Sequence, residues 1–550
     1  MRTPRHPLRL AAIVAWSVAA ASLAAPPDAP AKPAPVPKEE QRFVRYPDAP
    51  ARAHGTITVN GRSIHYTATA GVLTLTDNKA KPTANIFYTA YRRTLEPHAD
   101  FEKRLAAWKE AGAEGPEPIN FPDPAERPIT FSFNGGPGSS SVWLHLGIFG
   151  PRRVDYVDDK GNPGPPPYGV VDNEHTLLDA SDFVFIDPVS TGYSRAEDGA
   201  DEKDFHGVES DIASVAEFIR RFLTSEQRWR SPRFVAGESY GTTRACGLAQ
   251  RLHDQHGIAL NGVILVSAAM QFGTIRFDSG NDLPYVLFLP TYAATAHYHG
   301  LLPPDQQARP LPEFLAEVER FALTEYAAAL AQGSYLNEAE AQRIVDRLAS
   351  YTGLSPDFLR RARLRVEIQR YAKEALRTRG LTVGRFDSRF TGMDRDEAGE
   401  RPDFDPSYAV IRANYTESFN AYIREELGFT SDLPYEILTN VSPWSYSPAG
   451  NNRYLDVAER LRAAMHQQPH LKVLLASGYY DLATPHFAAD YVMSHMGLAP
   501  DLLSNITTRY YEAGHMMYLH RDSRAKLKAD LDAFYAQAVQ DARDGRAPAR

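Results

Sequence analysis

Apolar positions along the chain follow two periods, and the switch between them predicts the architecture. Residues 55–59, 63–69 and 84–91 alternate or cluster β-formers between turn signals such as Asn60-Gly61, which predicts an antiparallel start to a sheet. Residues 101–113 have helical composition and read as a surface insertion. Ile-Thr-Phe-Ser-Phe at 129–133 reads as a strand that runs into a glycine-rich loop, Asn134 to Ser141. The continuous apolar runs at 183–187 and 262–267 have the pattern of strands buried on both faces of a parallel sheet. Val208, Ile212, Val215, Ile219 and Phe222 recur at spacings of four and three, the stripe of a helix packed on that sheet. A short strand at 234–236 leads into a helix predicted over 242–253. Strands alternating with helices in this way imply right-handed β-α-β units.

After about residue 276 the pattern becomes helical. Residues 311–332, 336–351 and 356–377 are rich in Ala, Leu, Glu and Arg, and no strand of comparable quality precedes residue 440. Sheet signals resume at 471–477 and 506–511, with helices predicted at 487–496 and 523–539 and a flexible tail over 541–550. The expected organisation is a doubly wound, mostly parallel core formed by 41–275 and 446–540. A mainly helical cap, 276–445, is inserted at one loop and placed over the sheet's active edge.

The 550 residues can bury a large core, being 43% hydrophobic and 23% charged. A formal net charge of -8 gives no reason to expect nucleic acid or an anionic membrane surface as partner. Arg2, Arg5 and Arg9 precede an apolar segment, 10–21, and then small residues, the pattern of a secretory signal peptide over 1–24 with cleavage after Ala24. Residues 25–40, mostly proline and alanine, read as a flexible tether. A secreted or periplasmic location is expected, with no membrane span left once the signal is removed. Cys246 is the only cysteine, so no intrachain disulfide can form. Asn414, Asn440 and Asn505 stand in glycosylation sequons, but the chain reads as bacterial and no sugar is expected there.

Three short stretches carry candidate chemistry. Gly237-Glu-Ser-Tyr-Gly241 ends a strand and opens a helix, the strained turn that lifts a serine above the sheet of an α/β-hydrolase fold. Ser239 is the candidate nucleophile. A serine hydroxyl needs a base within hydrogen-bond reach and an acid to orient that base. Asp481 directly follows the strand at 471–477, and His515 follows the strand at 506–511, in the chain order this fold uses. The Tyr240 amide is one expected oxyanion donor, and Gly135 and Gly136 in the earlier loop are candidates for the second. Nothing in this chemistry calls for a metal or cofactor.

Asn134-Gly-Gly-Pro-Gly-Ser-Ser, Gly237-Glu-Ser-Tyr-Gly, Gly478-Tyr-Tyr-Asp and Ala513-Gly-His-Met, in this order, resemble the signature blocks of the serine carboxypeptidases. Val184-Phe-Ile-Asp-Pro-Val-Ser-Thr-Gly-Tyr-Ser makes a fifth block, so the resemblance spans about 131–520. It implies release of the C-terminal residue of a peptide through an acyl-enzyme on Ser239. Gly136 and Tyr240 would supply the oxyanion amides, and Asn134, Gly135 and Glu238 would bind the substrate's terminal carboxylate. The chain departs from the pattern at Ser132, where the family has Trp, and at Ser139, where Cys is common. Relatives acting at acid pH carry a second Glu where this chain has Ile148.

One triad serves every acyl transfer, so an esterase, an aminopeptidase or an acyltransferase remains open on the residues alone. A non-catalytic binding protein on the same fold is the alternative from another class. Side-chain preference and oligomeric state are not written in the sequence.

Overall fold

A computed structural model describes residues 43–112, 116–447 and 453–544. The signal and tether expected over 1–40 lie outside these residues. The central sheet is built from β1 (Ala51–Val59), β2 (Arg62–Thr76), β3 (Pro82–Thr94), β4 (Ile129–Phe133), β5 (Asp182–Ile186), β6 (Arg233–Ser239), β7 (Gly262–Ala268), β8 (Lys472–Gly478) and β9 (Ile506–Tyr511). Their spatial order is β1-β2-β3-β5-β4-β6-β7-β8-β9. The pairs β1-β2, β2-β3 and β3-β5 are antiparallel, and from β5 onward every neighbour is parallel.

The continuous apolar strands are buried on both faces, as their composition predicts. Val184 and Ile186 of β5, Val263 and Leu265 of β7, and Val473 and Leu475 of β8 point into one core. Phe183 and Phe185, Ile264 and Val266, and Leu474 and Ala476 point into the other. Helices α1 (Val208–Ser225), α2 (Tyr240–His256) and, later in the chain, Ala458–Gln467 cover the first face with Ile212, Ile219, Leu248 and Leu461. Each such side chain contributes roughly 1.5–3 kcal/mol on removal from water. The sheet is therefore held from both sides, and the loops at its strand ends are fixed in place.

The helical block between β7 and β8 divides into two parts. Helix α3 (Leu283–Tyr298) packs with Leu311–Phe321 and Glu338–Thr352 around a core of its own that includes Leu287, Phe314, Val318 and Leu348. Helix α4 (Pro406–Glu425) instead lays Ile411, Tyr415 and Phe419 into the core on the sheet's second face. Helix α5 (Arg521–Asp544) contributes Leu527, Leu531 and Phe534 to the same core.

Several expectations are corrected here. Neither α3 nor α4 was among the predicted helices. The helix expected over 356–377 breaks into Pro356–Arg361 and Ile368–Glu374, because Arg363 and Leu364 adopt left-handed backbone at φ 52 and 66. A short hairpin, Thr382–Val383 with Thr391–Gly392, stands where no strand was expected. The first surface helix runs His98–Glu110, three residues earlier than its composition suggested. Residues 541–544, expected in a flexible tail, continue α5. Among the described residues no helix is long and apolar enough to cross a membrane.

Candidate active site

The site begins with a chain reversal between β6 and α2. Ser239 sits at φ 60 and ψ -129, a conformation that costs a non-glycine residue on the order of 1–3 kcal/mol and persists only when the surroundings impose it. The flanking glycines show what imposes it. A Cβ on Gly237 would stand 2.2 Å from the Gly241 carbonyl oxygen, and one on Gly241 would stand 2.7 Å from that of Phe133. The strand-to-helix turn is thus too tight for any side chain but that of Ser239 and its two neighbours. Helix α2 starts directly at Tyr240, two residues before the predicted start, so the Tyr240 amide belongs to the unsatisfied first turn of a helix.

The loop after β4 lies against this turn. A Cβ on Gly135 would come within 2.4 Å of the Tyr240 nitrogen, so only glycine permits the approach. Gly136 follows with φ +100, another position that suits glycine alone. Arg244 of α2, fully buried, anchors the loop by donating from Nη1 to the Asn134 carbonyl at 2.7 Å. Its Nε contacts both Asp211 oxygens, at 2.9 and 3.1 Å. The Asn134 Oδ1 accepts from the Leu144 amide at 3.1 Å, which fixes the side-chain orientation and turns Nδ2 toward Glu238.

At the far strand ends, Asp481 and His515 meet. His515 Nδ1 and Asp481 Oδ2 are 2.8 Å apart, and both residues are buried. The other carboxylate oxygen accepts from the Ala483 and Thr484 amides at 2.8 and 3.0 Å, and Thr484 Oγ1 donates to Oδ2 at 2.8 Å. Burial alone would push the His515 imidazole down. The charge and hydrogen bond of Asp481 outweigh it, with Glu238 adding to the effect, and hold His515 above its ordinary value.

The segment 385–389 of the inserted block threads between the loops that bear Asp481 and His515. The Phe386 carbonyl accepts the His515 amide at 2.6 Å, and the Arg385 carbonyl accepts the Leu482 amide at 3.0 Å. The Ser388 amide donates to the Tyr480 carbonyl at 3.0 Å, and Asp387 Oδ2 accepts the Gly514 amide at 3.1 Å. Arg389 closes the strap by donating to the Glu512 carbonyl at 3.0 Å.

Ser239 and His515 line one cavity of about 350 Å³, whose walls also include Asn134, Gly135, Gly136, Tyr240 and Glu238. All the candidate residues but Asp481 therefore share that space, and Asp481 stands behind His515. Glu238 is only 3% exposed. It accepts from Asn134 Nδ2 at 2.9 Å and from the Tyr518 hydroxyl at 2.7 Å. Burial pushes its carboxyl up to about 7, against the His515 charge and these two donors. Ile148 lies in the buried turn His145–Phe149, and it is Tyr518 that gives Glu238 a second partner.

Tyr518, Thr484, Arg244 and the strap are the components sequence reasoning missed. Only Thr484 left a signal, since Asp followed three residues later by Thr is a common local turn. Among the described residues no group of three or more His, Cys, Asp or Glu is placed to hold a metal ion.

A parallel sheet with helices on both faces, a strained serine between strand and helix, and an acid and a histidine after the next strands together define an α/β hydrolase. The chain belongs to the serine carboxypeptidase family, whose model matches residues 119–522, and its class is that of a serine-type carboxypeptidase. No curated protein matches the sequence. Among solved structures, it is similar to Kex1Δp, a prohormone-processing carboxypeptidase from Saccharomyces cerevisiae, at 14% identity over 86% of this chain and 91% of that one, with a TM-score of 0.47. It is also similar to proline iminopeptidase from Mycobacterium smegmatis, at 14% identity over 89% of this chain and all of that one, TM-score 0.30. A thermostable carboxyl esterase from Bacillus coagulans is 13% identical over 86% and 99% of the two chains, TM-score 0.31.

Proposed function

We propose that the protein releases the C-terminal residue of peptides by acyl transfer to Ser239. The observation that carries this reading is the buried, hydrogen-bonded Asp481–His515 pair opening onto the cavity that also holds the strained Ser239. His515 accepts the Ser239 Oγ proton as Oγ bonds to the carbonyl carbon of the last peptide bond. The amides of Gly136 and Tyr240 take the developing oxyanion. Collapse breaks the C–N bond, and the imidazolium returns its proton to the departing amine. Water then adds by the same route and frees Ser239.

Asn134, Gly135 and Glu238 bind the terminal carboxylate in this reading. Two carboxyl groups can meet only through a shared proton, so Glu238 must be protonated. With its carboxyl near 7, that condition fails as pH rises above neutrality. His515 must be neutral to act as base, and its raised value moves the rising limb up from where an ordinary histidine would put it. The kcat/KM for a blocked peptide acid is therefore expected to rise and then fall around neutral pH. The matching ester with a blocked terminus should keep the rise and lack the fall. Glu238→Gln should remove the falling limb, and Tyr518→Phe, which takes away a donor to the ionised carboxyl, should move it to higher pH. Steady-state profiles on the acid, its amide and its ester decide this. Equal turnover of acid and amide by the unmodified enzyme would rule the reading out.

Export from the cytoplasm is part of the proposal. It is supported by Arg2, Arg5 and Arg9 ahead of the apolar segment 10–21 and by the small residues that follow it. Amino-terminal sequencing of protein recovered outside the cytoplasm should begin at Ala25; a chain still starting at Met1 would contradict it.

A further inference from the structure

Two arginines of the inserted block stand in the wall of the catalytic cavity, and neither is used by the chemistry above. Arg385 and Arg276 are its cations, and Glu238, already accepting from Asn134 and Tyr518, is its carboxylate. The rest of that wall is largely apolar, with Trp143, Ile368, Ile411 and Met516 among its side chains.

The guanidinium of Arg385 is stacked on the Phe386 ring, 4.3 Å from its centroid, and the Phe386 ring in turn lies 5.0 Å from that of His515. This places a positive charge one ring away from His515, the proposed base. Its nearest acid is Asp405, whose Oδ2 is 3.9 Å from Nε. The other Asp405 oxygen is engaged with the backbone amides of Arg385 and Ser407, both at 3.0 Å. The two terminal nitrogens of Arg385 are thus left with no acceptor among the described residues. Arg276 is in the same position: its guanidinium lies over the Phe272 ring, 5.6 Å from the centroid, and among the described residues its one hydrogen-bond partner is the Tyr446 hydroxyl, at 3.5 Å. A guanidinium held flat against an aromatic face keeps its planar fork open, and that fork matches a carboxylate in geometry and charge.

We propose that Arg385 and Arg276 form an anion subsite that selects peptides with an acidic side chain on one of the two residues flanking the scissile bond. The proposal rests on the carboxypeptidase reading, in which the α-carboxylate is met by Asn134, Gly135 and Glu238 and the side-chain carboxylate is a separate group. Aspartate and glutamate side chains are the carboxylates a peptide carries at that distance from its terminus. Arg385 is half-buried and Arg276 is exposed, so both stay open to a carboxylate arriving from solution.

The test compares blocked dipeptides that differ only in charge: Glu against Gln at the last position with Leu before it, and Glu against Gln at the penultimate position with Leu after it. A hydrogen bond to a charged group discriminates by about tenfold or more in kcat/KM, so at one of the two positions Glu should exceed Gln by that factor. In Arg385→Gln or Arg276→Gln the ratio should fall toward one, and Arg385→Lys should keep part of it. Because both peptides are measured on the same variant, a general loss of activity cancels. A Glu/Gln ratio of one or less at both positions in the unmodified enzyme overturns the proposal. So does a ratio that survives both substitutions, or a loss that falls equally on Leu-ending and Glu-ending peptides, which would assign the arginines to the α-carboxylate.

If no peptide is cleaved, the carboxypeptidase reading is what fails. The subsite is then read through inhibition of p-nitrophenyl ester hydrolysis by N-acetylglutamate against N-acetylglutamine. Stronger inhibition by the glutamate that disappears in Arg385→Gln supports the subsite, and equal inhibition removes it.

Discussion

Asp481→Asn is expected to lower kcat by about 10⁴ while leaving the fold intact, the loss that follows when a triad histidine is held in the wrong tautomer. The local hydrogen bonds explain why the substitution is so directed. Asp481 Oδ1 receives two backbone amides, from Ala483 and Thr484, and those donors cannot be reversed. An asparagine must therefore keep its carbonyl oxygen there and present its NH₂ to His515. That group donates to Nδ1, which moves the imidazole proton to Nε2, the atom that has to accept from Ser239. Thr484 Oγ1, which donates to Oδ2 here, can rotate to accept from the new amide. A single-turnover assay and the rate of Ser239 labelling by an organophosphonate measure the effect. A variant within tenfold of the unmodified enzyme would remove Asp481 from its proposed role.

The second large effect is on stability. Arg244→Ala is expected to cost about 3–5 kcal/mol, because it strips a buried ion pair of one partner and leaves the other charge uncompensated. Asp211 would lose both contacts to Nε, and the Asn134 carbonyl would lose its donor. Arg244 also fills the space between the rings of Phe133 and Tyr240, at 5.2 and 5.6 Å, so packing is lost as well. The double variant Asp211→Leu, Arg244→Met removes both charges and should recover much of the loss in equilibrium denaturation. An Arg244→Ala protein within 1 kcal/mol of the unmodified one would show that the pair carries little of the stability assigned to it.

How much of this was readable in the sequence follows from the range of the interactions involved. Strand ends are marked by local signals, so the elbow at Ser239 and the positions of Asp481 and His515 could be read from apolar runs that stop at Gly, Asp or His. The two missed helices had no stripe to find. Helix α3 is apolar all round, with Pro290 inside it, because it is buried on every side. Helix α4 buries aromatic residues and Asn414, whose Nδ2 donates to the Asp155 carbonyl at 3.2 Å. That burial leaves the sequon side chain no room for a sugar. A better clue to α4 lay in Asp405-Pro406, an N-cap followed by proline, with Asp405 accepting from the Ser407 amide. Tyr518 could not have been found in this way. Its bond to Glu238 joins residues 280 apart, and only the folded chain sets that distance.

The strap over 385–389 has a consequence for how this architecture can vary. A lid joined to its core only by side chains can be exchanged for another, as a module. Here the backbone of the inserted block holds the amide of His515, the proposed base, through the Phe386 carbonyl. A chimera that replaces 276–445 with a foreign lid would keep Ser239, Asp481 and His515 in its sequence, yet lose the bond that fixes the base. Turnover by such a chimera is therefore expected to fall even where its fold is kept, because the replaced backbone no longer holds His515.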